Sequence, residues 1–257
     1  MSLKPADIPR RRLEELENGA PTRNLMEQIA LDQRTLWKRV TSLPSDPPQG
    51  LGSPRLTDRM WAGARGLHEE LADRCLHIAI GYHSDTARAW GALSVGLIDG
   101  ISLEDRLALA QPFGADPHFA VREWAWIAVR GHIAADVETA LHLLSIWTDN
   151  PDANLRRFAS ESTRPRGVWC KHIPELKENP NVALGILEPL KADPAPYVQL
   201  SVGNWLNDAA KSRPEWVRAI CERWLDQSPS PATERICRRG TRSMRAEGDE
   251  SVGLDQQ

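Results

Sequence analysis

The stretch "ADPHFAVREWA" (115–125) recurs in outline three more times, as "DNPDANLRRFA" (149–159), "ADPAPYVQLSV" (192–202) and "QSPSPATERIC" (227–237). Each copy has a proline in a turn, with Asp, Asn or Ser directly before it, and those residues favour turns. Four residues after the proline comes Val, Leu or Thr, on what reads as a second helix. The prolines stand at positions 117, 151, 194 and 229, so the spacing is near 40 residues.

Amphipathic segments such as "ETALHLLSIWT" (138–148) precede these turns, which makes each unit a helix, a turn and a second helix. A period near 40 is typical of stacked helical repeats. Strand signals are scarce along the whole chain. The sequence therefore predicts an all-α fold, an α-solenoid (α-α superhelix) of HEAT/ARM-like helical repeats, in which the second helices line a concave face.

The remaining segments complete the predicted organisation. Apolar residues of 22–41 fall on one helical stripe, and 42–54 is a Pro/Gly-rich loop. We expect residues 1–245 to form a single HEAT-like repeat domain, followed by a disordered tail over 246–257.

Composition limits the functions that the chain can have. The 257 residues are 41% hydrophobic with a formal net charge of −3, so binding to nucleic acid would need a local basic patch. The four cysteines lack metal-ligand spacing and are typical of reduced thiols, which predicts a cytoplasmic protein without a metal site. No signal peptide or transmembrane span is expected.

Three acidic residues are staggered along the predicted second helices. Counted from the residue before each turn proline, Glu123 lies at +7, Glu161 at +11 and Asp208 at +15. Residues four apart share one face of a helix, so successive repeats could bring these carboxylates together. The alternative is that all three are ordinary solvated helix residues.

The surroundings of Glu161 favour a functional interpretation. The segment "ESTRPRGVW" (161–169) adds Arg164, Arg166 and Trp169 within eight residues. Arginines bind phosphates, tryptophan stacks on bases or cations, and a carboxylate stabilises the oxocarbenium-like transition state of glycosidic bond cleavage. Arg164 could instead pair with Glu161 to hold the turn, and the sequence leaves both roles open.

Four segments carry a resemblance to a known family. "ASESTRPRGVW" (159–169), "VQLSVGNWLNDAAKSRPEWV" (198–217), "PTRNLMEQIALDQRTL" (21–36) and "VREWAWIAVR" (121–130) are similar to segments of the AlkC/AlkD superfamily of DNA alkylation repair glycosylases. The AlkC branch is the most similar, and the resemblance covers roughly residues 20–245.

The resemblance implies a monofunctional DNA glycosylase that acts on alkylated duplex DNA. It would hydrolyse the N-glycosidic bond of cationic N3- or N7-alkylated purines, of the 3-methyladenine type, and leave an abasic site. It would work as a monomer in the bacterial cytosol, without metal or cofactor. The implied catalytic residues are Glu161, Asp208 and Glu123, and the candidate residues for binding DNA or the lesion are Trp169, Arg164, Arg166, Arg157, Asn204 and Trp126.

The chain also departs from the pattern of the branch. Ser162 stands where glycine is frequent, Gly167-Val168 replaces Leu-Pro, and Trp126 lies where arginine is frequent. We expect no additional C-terminal immunoglobulin-like domain. Two other functions stay open at this point. One is a HEAT-repeat protein that binds DNA or a lesion without excising simple methylpurines, and the other is a protein-interaction scaffold.

Overall fold

The computed structural model describes residues 4–244, which form α-helices, short 3₁₀ helices and turns with no β-strand in that range. The predicted all-α fold is confirmed. In this part of the chain no helix is both long and apolar enough to cross a membrane. The tail predicted over 246–257 lies outside the described residues.

The chain forms two compact units, one up to Val129 and one from Arg130 onward. The expectation of a single repeat domain over 1–245 stays a prediction. The helices of the first unit are α1 (Arg10–Glu17), α2 (Leu25–Ala30), α3 (Gln33–Val40), α4 (Leu56–Leu71), α5 (Cys75–Ile80), α6 (Asp85–Ser94), α7 (Leu103–Gly114) and most of α8 (Phe119–Ala135).

The N-terminal helical segment differs from its prediction. The single stripe over 22–41 is wrong, because the chain forms two short helices, α2 and α3, with Asp32 between them. One carboxylate oxygen of Asp32 accepts a hydrogen bond from the backbone N–H of Arg34, and the other accepts from the Thr35 hydroxyl. This N-cap starts a new helix and turns the chain.

The Pro/Gly-rich loop over 42–54 is packed against its neighbours. It contains a 3₁₀ helix, Gln49–Gly52, whose Leu51 is buried. Pro48 lies so close to Gly66 of α4 that a Cβ there would come within 2.4 Å of the proline ring. Leu51 and Pro48 therefore anchor the loop to the first unit.

The second unit holds the remaining helices. After the end of α8 come α9 (Val137–Ser145), α10 (Ala153–Ser162), α11 (Pro174–Glu178), α12 (Leu184–Leu187), α13 (Pro196–Ala210), α14 (Pro214–Gln227) and α15 (Pro231–Gly240). Helix α10 packs on α13, and α13 packs on α15. The second helices of three successive repeats thus stand side by side in this unit.

The proline register of the sequence sets the helix starts. Each second helix begins two residues after a repeat proline, at Phe119, Ala153, Pro196 and Pro231. In the first three copies the side chain before the proline accepts a hydrogen bond from the backbone N–H two residues further on. Asp116 accepts from His118, Asn150 from Asp152, and Asp193 from Ala195. These Asx turns fix the entry of the chain into the helix.

An arginine on α10 links the turn of its own repeat to the next turn. The Arg156 guanidinium donates to the backbone carbonyls of Asn150 and Pro151, and it also forms a bidentate pair with Asp193, with Nε 2.6 Å from Oδ2. Arg88 does the same in the first unit, where it pairs with Asp116. Bidentate pairs of this kind hold neighbouring repeats in register.

We predict that Arg156→Met destabilises the fold, because it leaves the buried Asp193 carboxylate without its partner. The expected loss is about 3 kcal/mol in the free energy of unfolding, measured by urea denaturation. The control is Arg218→Gln, which removes an exposed pair with Glu215 and should cost less than about 1 kcal/mol. Equal losses of stability in the two variants would contradict the conclusion that Arg156 holds neighbouring repeats together.

Candidate active site

Glu161 lies in the last turn of α10 and is almost completely buried, with 4% of its surface exposed. Both carboxylate oxygens are occupied. Oε1 accepts a hydrogen bond from Arg164 Nη1 at 2.6 Å, and Oε2 accepts one from the Ser201 hydroxyl of α13 at 2.7 Å. Arg157 Nη2 approaches Oε2 to 3.6 Å. Glu161 is thus a fixed negative charge inside the protein.

Asp208 lies on α13 and shares its cation with Glu161. Its Oδ2 lies 2.9 Å from Arg164 Nε and 2.8 Å from Arg164 Nη2. One arginine therefore bridges two buried carboxylates from successive repeats. Convergence of all three staggered acids stays a prediction. Of the two roles left open for Arg164, the pairing with Glu161 is present, and it extends to Asp208.

The two carboxylates differ in protonation behaviour. Burial raises the pKa of Glu161, but Arg157, Arg164 and the Ser201 hydrogen bond together outweigh it, so the pKa lies below the ordinary value. Burial also raises the pKa of Asp208, and here Arg164 only partly opposes it, so the pKa stays above the ordinary value. Environments that shift the pKa values of two neighbouring acids in opposite directions are typical of sites in which the two acids have different roles.

The oxygens of the pair also differ in their freedom to bind another molecule. Both oxygens of Glu161 accept hydrogen bonds from the protein. Asp208 uses Oδ2 for both contacts with Arg164, and within residues 4–244 Oδ1 accepts no hydrogen bond. Asp208 therefore has an oxygen left for water or substrate, whereas Glu161 does not.

The loop after α10 presents Trp169 to solvent. Trp169 is 54% exposed. All ten tryptophans lie within the described residues, and the other nine are buried or half-buried. The backbone of Trp169 has a φ of 68°, in the left-handed region that non-glycine residues rarely adopt. A strained, exposed aromatic in the loop that follows a helix ending in buried charges is typical of a binding site.

Arg130 holds the backbone of this loop through hydrogen bonds. It was not among the predicted site residues. Its buried guanidinium donates to the backbone carbonyls of Ser162, at 2.7 Å, and of Arg164. The indole of Trp205 adds a hydrogen bond to the Thr163 carbonyl at 3.0 Å. The sequence signal that could have identified Arg130 is its place at the end of the apolar run "WAWIAVR" (124–130), because a buried cation requires partners.

Gly167 explains one departure from the family pattern. A Cβ at this position would lie 2.2 Å from Cys170 Sγ and 3.4 Å from the Arg130 guanidinium. Any side chain would displace one of these groups. The glycine thus allows the loop to close tightly over Arg130, two residues before Trp169.

The other predicted binding residues of the second unit contact protein groups. The guanidinium of Arg157 lies 4.3 Å from the centre of the Tyr197 ring, and Arg166 donates to the Asp208 carbonyl and, at 2.7 Å, to the Ser212 hydroxyl. Asn204 accepts a hydrogen bond from Arg239 Nε at 2.8 Å. These contacts position α10, α13 and the loop, and binding of DNA by these side chains stays a prediction.

Two predicted residues lie in the first unit, on α8. Trp126 is buried, and its indole N–H donates to Glu123 Oε2 at 3.0 Å. Their proposed roles in the site stay predictions. Among the described residues, no group of three or more His, Cys, Asp or Glu side chains is arranged to hold a metal ion.

We predict that Arg130→Met loosens the loop that carries Trp169, because two backbone carbonyls lose their buried donor. Backbone amides over 163–173 should exchange with deuterium faster, by about tenfold or more, in native-state hydrogen exchange. The matched control is Arg130→Lys, which keeps the charge but fewer donors and should give a smaller increase. Unchanged exchange in the methionine variant would contradict a positioning role.

Several solved structures have a similar fold. The Pseudomonas fluorescens alkylpurine DNA glycosylase AlkC, bound to DNA containing an abasic site analog, superposes with a TM-score of 0.69 at 23% identity. The match covers 95% of this chain and 65% of that one. AlkD2 from Streptococcus mutans matches with a TM-score of 0.57 at 22% identity, over 70% of this chain and 87% of its own. At these identities the likeness shows the helical-repeat fold.

A curated relative matches about half of the chain. The uncharacterized protein YhaZ of Bacillus subtilis (strain 168) is 37% identical over 125 residues, which is 49% of this chain and 34% of that protein. The chain thus spans about a third of this relative's length in the match.

The sequence model of the DNA alkylation repair enzyme family matches residues 116–239. That range contains Glu161, Arg164, Asp208 and the loop with Trp169. Through this segment, the chain is similar to the DNA alkylation repair enzyme family.

Proposed function

We propose that this protein is a DNA glycosylase that hydrolyses the N-glycosidic bond of cationic N3- or N7-alkylated purines in duplex DNA and leaves an abasic site. The observation that carries the proposal is the pair of buried carboxylates bridged by Arg164, next to the loop that exposes Trp169. The match to the DNA alkylation repair enzyme family supports it.

The chemistry of the reaction fits a buried negative charge. As the bond between C1′ and the purine nitrogen breaks, its electron pair leaves with the base, and the sugar becomes oxocarbenium-like. A fixed carboxylate stabilises that developing positive charge most strongly where water is excluded. Glu161, held ionised by Arg157 and Arg164, suits this role.

Asp208 suits the second role, which is to receive a proton. Water adds its oxygen to C1′ and must release one proton as it does so. A general base works best when its pKa is closer to the working pH, and burial raises that of Asp208. Its Oδ1 also accepts no hydrogen bond within residues 4–244. We therefore assign the water-activating role to Asp208.

The preference for cationic bases follows from the same groups. An alkylated ring already carries a positive charge, so it leaves as a neutral base and needs little protonation. The face of an exposed tryptophan attracts cations, and attraction is stronger where water is partly removed. Trp169 is the exposed tryptophan in this unit, and it would favour a cationic purine over an ordinary one.

The similar proteins support the same substrate class. The Pseudomonas fluorescens protein is an alkylpurine DNA glycosylase, and its structure contains DNA with an abasic site analog. An abasic site is the product that our proposal assigns to this chain. The protein would therefore bind DNA before and after the bond is broken.

We predict that the purified protein releases 3-methyladenine from methylated duplex DNA. Glu161→Gln and Asp208→Asn should each slow single-turnover release by about 10²-fold or more, because each removes a negative charge that acts in the transition state. Release of the free base is followed by chromatography, and thermal unfolding checks that each variant is folded.

The matched control is Glu215→Gln, which removes an exposed carboxylate of α14 in the same unit. It should release the base as fast as the unmodified protein. If both active-site variants also do so, the assignment of Glu161 and Asp208 is wrong. If the unmodified protein binds abasic DNA but releases no base, the protein is a lesion-binding member of the family.

The pKa of Asp208 predicts the pH dependence of the reaction. The general base must be ionised, so the rate is full above the pKa of Asp208 and falls as the pH drops through it. Since this pKa lies above the ordinary value and that of Glu161 below it, the acidic limb belongs to Asp208. Single-turnover rates corrected for spontaneous release should show this limb in Glu161→Gln and lack it in Asp208→Asn. Loss of the limb in Glu161→Gln would reverse the two roles.

A further inference from the structure

Two of the four cysteines occupy matching positions on the hairpin of α14 and α15. Residues 228–230 join the two helices, and a connection this short makes consecutive helices run antiparallel. Cys221 precedes Pro229 in this turn by eight residues, and Cys237 follows Pro229 by eight. Residues at equal distances from such a turn lie opposite one another, so the spacing along the chain already pairs these two side chains.

The structure brings the two cysteines into contact. Cys237 Sγ lies 3.8 Å from the carbonyl oxygen of Cys221, and the two thiols also form a hydrogen bond. Each residue is buried, with 4% of its surface exposed, and both are thiols in this structure. Thiols that meet across two packed helices have the proximity that a disulfide requires.

A cavity between the helices connects these buried thiols with solvent. Its volume is about 550 Å³, and Cys221 and Cys237 both border it, together with Arg218, Leu225 and Met244. We call this feature the α14–α15 cavity. A space of this size holds molecules much larger than hydrogen peroxide. A small oxidant can therefore reach the sulfur atoms although the residues are buried.

Cys237 differs from Cys75 and Cys170 in the acidity of its thiol. The hydrogen bond from the Cys221 thiol lowers the pKa of Cys237 and outweighs burial, which raises it. Burial raises the pKa of Cys75 and that of Cys170, and the groups around them only partly oppose this effect. The thiolate is the form that attacks an oxidant, so Cys237 is the cysteine expected to react first.

We propose that Cys221 and Cys237 are a redox pair that forms a reversible disulfide when a peroxide enters the α14–α15 cavity. The inference goes beyond the proposed function and does not rest on it, since the reaction takes place on α14 and α15 rather than at Glu161 and Asp208. In a reducing environment the pair remains as two thiols. The disulfide therefore records exposure of the protein to an oxidant.

The reaction balances with hydrogen peroxide as the oxidant. The Cys237 thiolate attacks one peroxide oxygen, the O–O bond breaks, and hydroxide leaves, which gives a sulfenic acid at Cys237. The Cys221 sulfur then attacks Cys237 Sγ, forms the S–S bond and displaces the sulfenic oxygen as hydroxide. The two thiol protons convert both hydroxides to water. The two sulfur atoms together lose two electrons, and the peroxide gains them.

The disulfide would tie together two helices that support the candidate active site. Both α14 and α15 pack on α13, which carries Asp208. A cross-link between residues 221 and 237 restricts the unfolded hairpin, and restriction of the unfolded chain stabilises the folded one. Oxidation would therefore strengthen the support of α13 under the conditions in which the peroxide is present.

The test is peroxide treatment of the full chain followed by mass spectrometry. The protein is reduced, freed of reductant, treated with hydrogen peroxide, blocked with iodoacetamide and digested with trypsin. Cleavage after arginine places the cysteines in two separate peptides, "AICER" (219–223) and "ICR" (236–238). We expect these peptides to be joined, with a mass two hydrogens below the sum of the two thiol peptides, and to separate again in dithiothreitol.

Serine variants assign the role of each sulfur. Cys221→Ser should stop at the sulfenic acid of Cys237, which dimedone traps. In Cys237→Ser the Cys221 thiol should react with peroxide slower by about tenfold or more, because the more acidic thiol is absent. The matched control is Cys170→Ser, which removes a more exposed cysteine and should form the disulfide as the unmodified chain does.

The peptide map of the unmodified chain decides the inference even if a variant fails to fold. Oxidation of Cys75 or Cys170 while Cys221 and Cys237 remain thiols would overturn it, and so would oxidation of Cys237 without the cross-link. The linked chain should unfold at a temperature higher by roughly 5 °C or more. A lower temperature would mean that the hairpin is strained by the link and is not built for it.

The outcome is independent of the base-release assay. A chain that forms the disulfide but releases no base would overturn the proposed function and leave the redox pair in place. A chain that releases base but forms no disulfide would do the reverse.

Discussion

A single arginine between two buried carboxylates is the interaction on which the candidate site depends. Without Arg164, Glu161 and Asp208 would be two negative charges from neighbouring repeats, with little water to screen them. Arg164 holds them together, yet it divides its contacts unequally between them. Arg157 and Ser201 contact Glu161 alone, so the pKa of Glu161 lies below its ordinary value, whereas burial keeps the pKa of Asp208 above its ordinary value.

The positions of these groups follow from the repeat. Proline sets where each second helix begins, and the fixed offsets then place Glu161 and Asp208 one turn apart on neighbouring helices. The repeat period and the offsets were readable from the sequence because both are local, one-dimensional properties. The break between α2 and α3 was missed because an apolar stripe does not reveal that Asp32 caps a new helix.

Partners that lie far apart in the chain could not be predicted in the same way. Arg130 reaches carbonyls more than thirty residues away, and Arg239 of α15 reaches Asn204 of α13 where Gly203 allows the two helices to approach closely. The residue type of Arg157 and Arg166 shows that both are positively charged. It does not show whether their guanidinium groups already contact other groups of the protein. Contacts between distant residues are therefore harder to predict in this fold than the helix positions of the carboxylates.

Trp169 has a consequence for any effort to stabilise this protein. A left-handed backbone at a residue other than glycine costs roughly 1 kcal/mol, and an indole that is half exposed returns little of that by burial. Judged by stability alone, glycine would be the better residue at this position. A redesign that selects only for folding stability would therefore replace Trp169, the tryptophan that this loop exposes to solvent.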